Sequence, residues 1–275
     1  MSQPGTNEAT AVRFEDVSLR FGDAVALDHV SFEIRAGETR VVYGVAGSGK
    51  TTLLKAALGL VKPDSGKIFV FGEDVTNFGE SAWFRVRAKM GILFQEGGLF
   101  DSMTIAENVA YPLINRQAQH NGNGSAKNAD ERVRDVLRFV ELERTLDKFP
   151  AELSGGMRRR VGIARAIVTE PPLVLYDSPT AGLDPITANT IVNLILKERD
   201  LRNAASIMVT HRFQDGHLMA NFRYNPTSGQ IERLGADGRH VTTQFFVMHE
   251  GRLVFAGTQA ELKASGDEYI GKFAR

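Results

Sequence analysis

The sequence predicts an α/β fold with a parallel β-sheet at its core, an antiparallel β subdomain at the N-terminal side and an inserted α-helical subdomain. Residues 173–176 and 206–210 have the composition of buried strands and flank a helical stretch at 186–202. A strand, a helix and a second strand at this spacing indicate parallel pairing with a helical crossover. Another short strand, 39–43, leads into a glycine-rich loop, and helical spacing dominates 81–140.

The N-terminal part of the chain predicts the antiparallel subdomain. Residues 1–10 are polar, without a basic start or an apolar stretch, and are interpreted as a disordered tail. Residues 12–34 contain two β-type runs separated by the turn-like pair Gly22-Asp23. We therefore expect one domain over 11–275.

The middle and the end of the chain predict two additions to this domain. A helical subdomain is expected at about 96–170, with a polar, mobile connector at 117–128. An insertion is expected at about 220–244, where turn-like residues at 225–229 and 236–238 suggest hairpins that extend an antiparallel edge sheet. The insertion is either a docking surface or functionally neutral.

Composition excludes several classes of protein. The 275 residues are 43% hydrophobic and 24% charged, which excludes collagen-like, coiled-coil and wholly disordered chains. Lys+Arg and Asp+Glu are both 33, so no basic excess indicates a nucleic-acid partner. The absence of cysteine excludes disulfides, thiolate metal sites and cysteine catalysis. No window reaches the roughly 20 apolar residues of a membrane-spanning helix, so we expect any membrane contact to be made through a partner.

Residues 44–51 match the phosphate-binding pattern G-x-x-x-x-G-K-[ST] between a strand and a helix. Glycines let successive backbone N–H groups face one anion, and the following helix adds its positive end. Lys50 would reach the β- and γ-phosphates and the Thr51 hydroxyl would ligate Mg²⁺. The alternative, a chance turn, does not account for the strand and helix on either side. The pattern therefore predicts a P-loop (RecA-like) core.

Two further segments suit the same chemistry. Asp177 follows the apolar run 173–176, and a carboxylate at the end of a strand can hold Mg²⁺, although alone it is often a turn or helix cap. Residues 153–157, Leu-Ser-Gly-Gly-Met, precede another amphipathic helix and could bind an anion or simply cap that helix. One chain has no evident use for a second phosphate site.

Taken in order, the P-loop, LSGGM, LVLYDSPTAGLD and VTHR resemble the nucleotide-binding subunit of an ABC transporter, over about residues 12–262. The resemblance implies that two copies sandwich two ATP molecules with Mg²⁺, so that Ser154 and Gly156 contact the γ-phosphate held by the other copy. This explains the second anion site.

The resemblance also implies roles for residues outside the P-loop. Gln95 matches the glutamine that senses Mg²⁺, residues 181–184 match the dimer-contact loop, and His211 matches the switch histidine. Phe21 matches an aromatic that stacks on adenine, with packing in the core as the alternative. The predicted nucleotide-binding residues are Phe21, Gly44, Gly47, Ser48, Gly49, Lys50, Thr51, Thr52, Ser154, Gly155, Gly156 and Asp184; the metal ligands are Thr51, Gln95 and Asp177; the catalytic residues are Ser178, His211, Gln95 and Lys50.

Ser178 departs from the family pattern, which has a glutamate after the Mg²⁺ aspartate. A hydroxyl can orient water but cannot take its proton at neutral pH. Three interpretations stay open. Hydrolysis is slow and ATP binding does most of the work, or His211 or the γ-phosphate accepts the proton, or the serine is an engineered trap.

Residues 92–113 and 183–187 resemble the ATPases of Mla/MCE-type lipid transporters. This implies a peripheral subunit on the cytoplasmic face of the inner membrane, an integral permease partner, an MCE-type lipid-binding protein beyond it, and a phospholipid or other hydrophobic substrate. The alternatives are a small-molecule importer subunit and a hydrolysis-poor ATP switch. A mechanical ATPase for DNA or translation is disfavoured by the single cassette.

The helical subdomain also suggests a contact with the permease. Trp83, Leu99 and Phe100 form either a groove that accepts a permease helix or part of the subdomain core.

Overall fold

The computed structural model describes residues 10–119, 126–235 and 243–274. Near the N terminus an antiparallel sheet has the strand order β2-β1-β4-β5. Its strands are β1 (Thr10–Phe21), β2 (Ala24–Arg35), β4 (Ser65–Val70) and β5 (Glu73–Asp74). The predicted turn between β1 and β2 is confirmed, and Gly22 takes a φ of 59° there, which suits glycine. The predicted tail lies outside the described residues except for Thr10, which begins β1.

The central sheet has the strand order β12-β11-β3-β8-β7-β6. Its strands are β3 (Thr39–Tyr43), β6 (Met90–Leu93), β7 (Leu173–Asp177), β8 (Ala205–Val209), β11 (Thr243–His249) and β12 (Arg252–Gly257). All neighbours pair in parallel except β11 with β12. Every residue of β3, β7 and β8 is buried, as expected for strands covered on both faces. This confirms the predicted α/β core.

The helices of the described residues fall into two groups. Those beside the sheets are α1 (Lys50–Ala57), α2 (Glu80–Arg87), α6 (Pro185–Arg202), α7 (Phe213–Asn221), α8 (Gln259–Ala264) and α9 (Glu268–Gly271). The others, α3 (Ile105–Gln119), α4 (Ala126–Phe139) and α5 (Gly155–Ile167), pack on one another through a shared apolar cluster. These three lie within 96–170, and the boundary of a helical subdomain there stays a prediction.

The predicted connector at 117–128 is partly wrong. Helix α3 continues to Gln119 and α4 begins at Ala126, so both ends of the segment are helical. The apolar residues of α4 recur at helical spacing, and Val133, Val136 and Leu137 are buried. This packing stabilises α4 as a helix and favours helix over loop for the residues near its start. Residues 120–125 lie outside the described residues.

In the described part of the insertion at 220–244, β9 (Phe222–Asn225) pairs with β10 (Gln230–Arg233) as a hairpin. The turn at 225–229 is as predicted, but the hairpin forms its own sheet and does not extend the edge sheet. Helix α6 holds it there: Arg199 donates to the carbonyl of Phe222 (2.9 Å), and Asp200 accepts from the N–H of Tyr224 (2.6 Å). The second predicted turn, 236–238, lies outside the described residues.

This topology places the predicted site at one edge of the central sheet. The parallel strands β3, β7, β8 and β6 end at the same side. Strand β7 ends with Asp177, and β3, β8 and β6 are followed by the P-loop, Thr210 and Phe94 respectively. Ligands of open parallel sheets bind at that side. In the described part of the chain no helix is both long and apolar enough to cross a bilayer.

Candidate functional site

The P-loop, residues 44–51, needs glycine at two positions, Gly44 and Gly49. Gly44 has a φ of 153°, and a Cβ there would lie 2.6 Å from the carbonyl oxygen of Met248. Gly49 has a φ of 101°, and its Cβ would lie 2.4 Å from the carbonyl oxygen of Ala26. Gly49 is also the N-cap of α1 and has no side chain to occupy that helix end. The loop therefore curls tightly and leaves backbone N–H groups at the helix N terminus for an anion.

Lys50 lies folded over this loop. Its Nζ donates to the carbonyls of Gly44 (2.9 Å) and Val45 (2.7 Å) and to the Oγ of Ser48 (3.2 Å). Burial lowers the pKa of Lys50, and the nearby Asp177 carboxylate opposes that shift. Phosphate oxygens would offer this ammonium better acceptors than carbonyls, because charge-assisted bonds are the stronger ones. The lysine is thus in place to engage a phosphate.

The predicted metal ligands are oxygen donors. Asp177 ends β7 and is 7% exposed, whereas Thr51 and Gln95 are exposed, Thr51 in the first turn of α1 and Gln95 just beyond β6. A hydroxyl, a carboxylate and an amide oxygen suit a hard cation such as Mg²⁺, and the described residues hold no cluster of three His, Cys, Asp or Glu side chains that would suit a softer metal. The donor set therefore fits Mg²⁺ shared with phosphate oxygens.

Ser178 directly follows this carboxylate. Its φ is 49°, its N–H donates to the carbonyl of Val209 (2.9 Å), and its hydroxyl donates to Oδ1 of Asp177 (3.2 Å). With its proton directed at Asp177, the hydroxyl oxygen retains only lone pairs toward the site. The Ser178 hydroxyl can accept a hydrogen bond from water. Its orientation is fixed by the Asp177 carboxylate and not by a separate general base.

The segment 154–156 opens helix α5. Ser154 is its N-cap, and its Oγ accepts from the N–H of Met157 (3.2 Å). The capping role considered from sequence is therefore present. Ser154 and Gly155 are nevertheless exposed, and a Cβ on Gly156 would lie 2.5 Å from Cγ2 of Thr187, so glycine is required there. The helix start thus faces outward beside helix α6.

The loop 181–184 lies next to that segment. A Cβ on Gly155 would come within 4.0 Å of Cδ2 of Leu183. Asp184 caps α6 by accepting from the N–H groups of Ile186 and Thr187, each at 3.0 Å. Hydrogen bonds from Thr187 lower the pKa of Asp184, which keeps the cap ionised. Ile186, in the first turn of α6, is 80% exposed, so the loop and the start of α6 together present a charged and an apolar side chain outward.

Two predicted residues outside these segments, Phe21 and His211, are accessible. Phe21 ends β1 and is 54% exposed, so the alternative that it packs in the core is wrong. His211 is exposed and follows the buried Thr210 at the end of β8. The structure therefore brings the P-loop, Asp177 and Ser178 together at the sheet edge. It leaves Ser154, Gly155, Asp184 and His211 on exposed surface.

Arg159 is a residue that the sequence analysis missed. It is 6% exposed, and its guanidinium donates to the carbonyls of Phe94 and Ala181, each at 3.2 Å. It therefore ties helix α5 to the segment that carries Gln95 and to the loop 181–184. The only sequence signal was a basic residue inside the run Met157–Arg160, which resembles any solvated helix face.

An apolar groove of about 510 Å³ lies beside α2, β6 and α3. Phe84, Phe94, Phe100 and Tyr111 line it and are 38–49% exposed. Of the three residues considered from sequence, Phe100 lines the groove. Trp83 is 6% exposed and packs in the core beside Gly59, and Leu99 packs against the other core cluster. For Trp83 and Leu99 the core interpretation is therefore the right one.

Comparisons with known proteins agree with this geometry. A family model described as "ABC transporter" matches residues 27–181. Methionine import ATP-binding protein MetN 2 of Rhodococcus jostii is 37% identical over 82% of this chain and 65% of its own length. Probable ribonucleotide transport ATP-binding protein mkl of Mycobacterium leprae is 35% identical over 73% of this chain and 56% of its own length. The matched part thus spans less than two thirds of either relative.

Solved structures are similar over nearly the whole chain. The dimeric cassette MJ0796, bound to ADP and Pi, aligns with a TM-score of 0.73 and 27% identity, covering 90% of this chain and 98% of that one. The cbiO1 protein of Clostridium perfringens, part of the transporter complex cbiONQ, aligns with a TM-score of 0.73 and 26% identity, covering 94% and 92%.

Proposed function

Because this chain belongs to the ABC transporter family, we propose that it is an ATP-hydrolysing subunit that drives a membrane transporter. The observation that carries the proposal is the P-loop with Lys50 folded into it, at the same sheet edge as Asp177. Its test is Mg²⁺-dependent hydrolysis of ATP by the purified chain, compared with Lys50→Ala.

Each residue of the site has a definite task in this proposal. The P-loop N–H groups and Lys50 hold the phosphates, and Thr51, Asp177 and Gln95 hold Mg²⁺. When bound, Mg²⁺ would neutralise negative charge on the phosphates. Phe21 offers an exposed aromatic face for stacking on adenine. Ser178 accepts a hydrogen bond from the attacking water and so positions it, while His211 or the γ-phosphate accepts its proton.

A second candidate function follows from Ser178. Its hydroxyl is engaged by Asp177, so the position supplies no general base. A subunit that binds ATP tightly but hydrolyses it slowly would act as an ATP-dependent switch. Turnover by the wild type beside Ser178→Glu distinguishes the two functions. A wild type that hydrolyses ATP supports the motor with another proton acceptor, and a silent wild type beside an active Ser178→Glu supports the switch.

A second copy of the chain completes the site in this proposal. Ser154, Gly155, Asp184, Ile186 and His211 lie on exposed surface, and Ile186 is 80% exposed. An outward helix N terminus suits a phosphate held by another copy. The similar cassette MJ0796 is itself described as dimeric. We expect ATP to shift the chain from monomer to dimer in light scattering, and Lys50→Ala to remain monomeric.

The apolar groove is the proposed seat of a permease helix. Its exposed aromatic side chains and apolar lining suit an amphipathic helix laid into a groove. Phe100→Glu should release the permease while the chain stays folded. Phe149→Glu, at another aromatic side chain of similar exposure (43% against 40%), is the matched control and should leave the complex intact. Loss of folding in Phe100→Glu, or release by both variants, would contradict this assignment.

The proposed substrate is a phospholipid or another hydrophobic molecule, moved with an MCE-type partner, and the proposed place is the cytoplasmic face of the inner membrane. The resemblance of residues 92–113 and 183–187 supports this. The alternative is import of a small solute, because the relatives include a methionine and a sulfate/thiosulfate import protein. Co-purification tests the choice: an MCE-domain protein with the permease supports lipid transport, and a soluble solute-binding protein supports import.

A further inference from the structure

Asp215 lies at the meeting point of two loops of the site. It is fully buried in the first turn of α7. Its Oδ2 accepts from the hydroxyls of Thr180 (2.5 Å) and Thr210 (2.6 Å). Thr180 directly precedes the loop 181–184, and Thr210 directly precedes His211. One carboxylate oxygen therefore joins the loop that would face a second copy to the loop that carries the switch histidine.

The hydroxyl of Thr210 extends this connection. It donates to Asp215 and accepts from the N–H of Arg212 (3.1 Å), so it holds the backbone on both sides of His211. The next residue of the helix, Gly216, lies against β3, where a Cβ would come 2.1 Å from the hydroxyl of Tyr43. Tyr43 directly precedes the P-loop. The first turn of α7 thus contacts the end of β3 and the loops that follow β7 and β8.

The other oxygen of Asp215 has no such support. In the part of the chain that the structure describes, Oδ1 is buried without a hydrogen-bond partner, and the nearest cation, Nε of Arg212, is 3.8 Å away. Burial raises the pKa of Asp215, while the Thr180 and Thr210 hydroxyls and the charges of Arg212 and His211 oppose the shift. A buried, half-satisfied carboxylate destabilises a fold, so its presence calls for a role other than stability.

Helix capping does not supply that role. Asp215 is the third residue of α7, where an acidic side chain often accepts from the N-cap N–H. Here the N-cap N–H, of Arg212, donates to Thr210 instead. Both hydrogen bonds that the carboxylate accepts come from side chains of other loops.

We infer that Asp215 is a positioning residue that couples the loop 181–184 to His211, so that docking of a second copy on that loop sets the position of the histidine. This inference rests on the proposed ATP-driven function and goes beyond it, because it assigns the coupling to one buried side chain. Contact at Ala181–Asp184 would move Thr180, and the shared oxygen of Asp215 would pass that movement to Thr210.

Kinetics of the full chain test the inference. Asp215→Ala removes the bridge and should lower kcat about tenfold or more, with KM and the affinity for a fluorescent ATP analogue changed less than about twofold. Asp215→Asn keeps an oxygen that can accept both hydroxyls and should recover most of the loss. Asp267→Asn, at a carboxylate that only caps α9, should have no effect. Equal losses of kcat and ATP affinity in Asp215→Ala, or no loss at all, would overturn the inference.

A double-mutant cycle provides a second readout that does not depend on replacing Asp215. Thr180→Val and Thr210→Val each remove one hydroxyl at nearly constant volume. If Asp215 couples the two loops, the double variant should lose little more kcat than the worse single variant. Additive losses would show that the threonines act separately and would reject the inference.

The proposed function and this inference fail in different ways. A wild-type chain that binds ATP without hydrolysing it argues against the motor function alone. ATP-dependent dimerisation then replaces kcat as the readout, with Asp215→Ala expected to dimerise about tenfold more weakly than Asp215→Asn. Equal dimerisation of those two variants rejects the coupling. A wild-type chain that neither hydrolyses ATP nor dimerises with it overturns both.

Discussion

Ser178 determines how the site can activate water. Its hydroxyl proton points at Asp177, so it can hold a water but cannot deprotonate it at neutral pH. The sequence predicted this limit from residue type alone. It did not predict the hydrogen bond, because that depends on the left-handed backbone of Ser178, whose φ is 49°.

Ser178→Glu should raise the turnover of ATP by about tenfold or more, because a positioned general base contributes on the order of 10²–10⁴-fold to a rate. Ser178→Ala is the control for loss of the hydroxyl and should be slower than the wild type. Phosphate release under saturating ATP and Mg²⁺ measures all three. A Ser178→Glu variant no faster than the wild type would mean that another group already accepts the proton efficiently.

The other residues of the site differ in how far the sequence could predict them. The P-loop, Asp177 and Ser154–Gly156 were readable because each lies in a short contiguous pattern. Arg159 and Asp215 were not, because their partners are distant in sequence: Arg159 contacts Phe94 and Ala181, and Asp215 contacts Thr180. Contacts of this kind depend on how the strands are ordered in the sheet, and no local pattern encodes that order.

At the scale of elements, helix α5 connects two loops of the site. Its start, Ser154, is on the surface, and one turn later Arg159 is buried against the carbonyls of Phe94 and Ala181. The rigid first turns of this helix can transmit a contact at Ser154 through Arg159 to the segment that carries Gln95.

Arg159→Met should lower ATP turnover several-fold and destabilise the fold by about 1–3 kcal/mol, because two carbonyls lose a charged donor. Arg158→Met is the matched control, since the Arg158 guanidinium donates to the carbonyl of Leu153, just before the start of the same helix. Turnover and urea unfolding distinguish the two variants. Equal effects of both would contradict a connecting role for Arg159.

The hairpin of β9 and β10 shows the limit of pattern reading at this scale. Turn residues at 225–229 predicted the hairpin correctly, but the expectation that it extends the antiparallel edge sheet was wrong. The alternation of apolar and polar residues shows which side of a strand is buried, but it does not show which element covers that side. Here Arg199 and Asp200 of α6 supply the contacts, and both lie in what reads as an ordinary polar stretch at the end of a helix.

At the scale of the whole molecule, the buried carboxylate of Glu198 should make stability depend on pH. Glu198 is 1% exposed, and neither of its oxygens has a hydrogen-bond partner among the described residues, although Oε2 lies 3.1 Å from Nε of Arg202. Burial raises the pKa of Glu198 to about 7, and Arg202 opposes the shift. The folded chain therefore keeps a proton that the unfolded chain releases at lower pH, so stability falls as pH rises toward 7 and is constant above it.

Glu198→Gln should remove this dependence. Between pH 5 and 8 the free energy of unfolding of the wild type should fall by about 1–3 kcal/mol relative to that of the variant. Glu143→Gln, at an exposed position, should follow the wild type. Urea unfolding at several pH values measures the difference. Parallel curves for the wild type and Glu198→Gln would show that Glu198 is ionised in the folded chain.

The central claim is that the sheet edge carrying Lys50 and Asp177 hydrolyses ATP. The most direct measurement is steady-state phosphate release by the purified full chain, with and without Mg²⁺, beside Lys50→Ala of matched thermal stability. We predict Mg²⁺-dependent release by the wild type and none above background by Lys50→Ala. Release that survives Lys50→Ala, or a wild type that releases no phosphate, would contradict the claim.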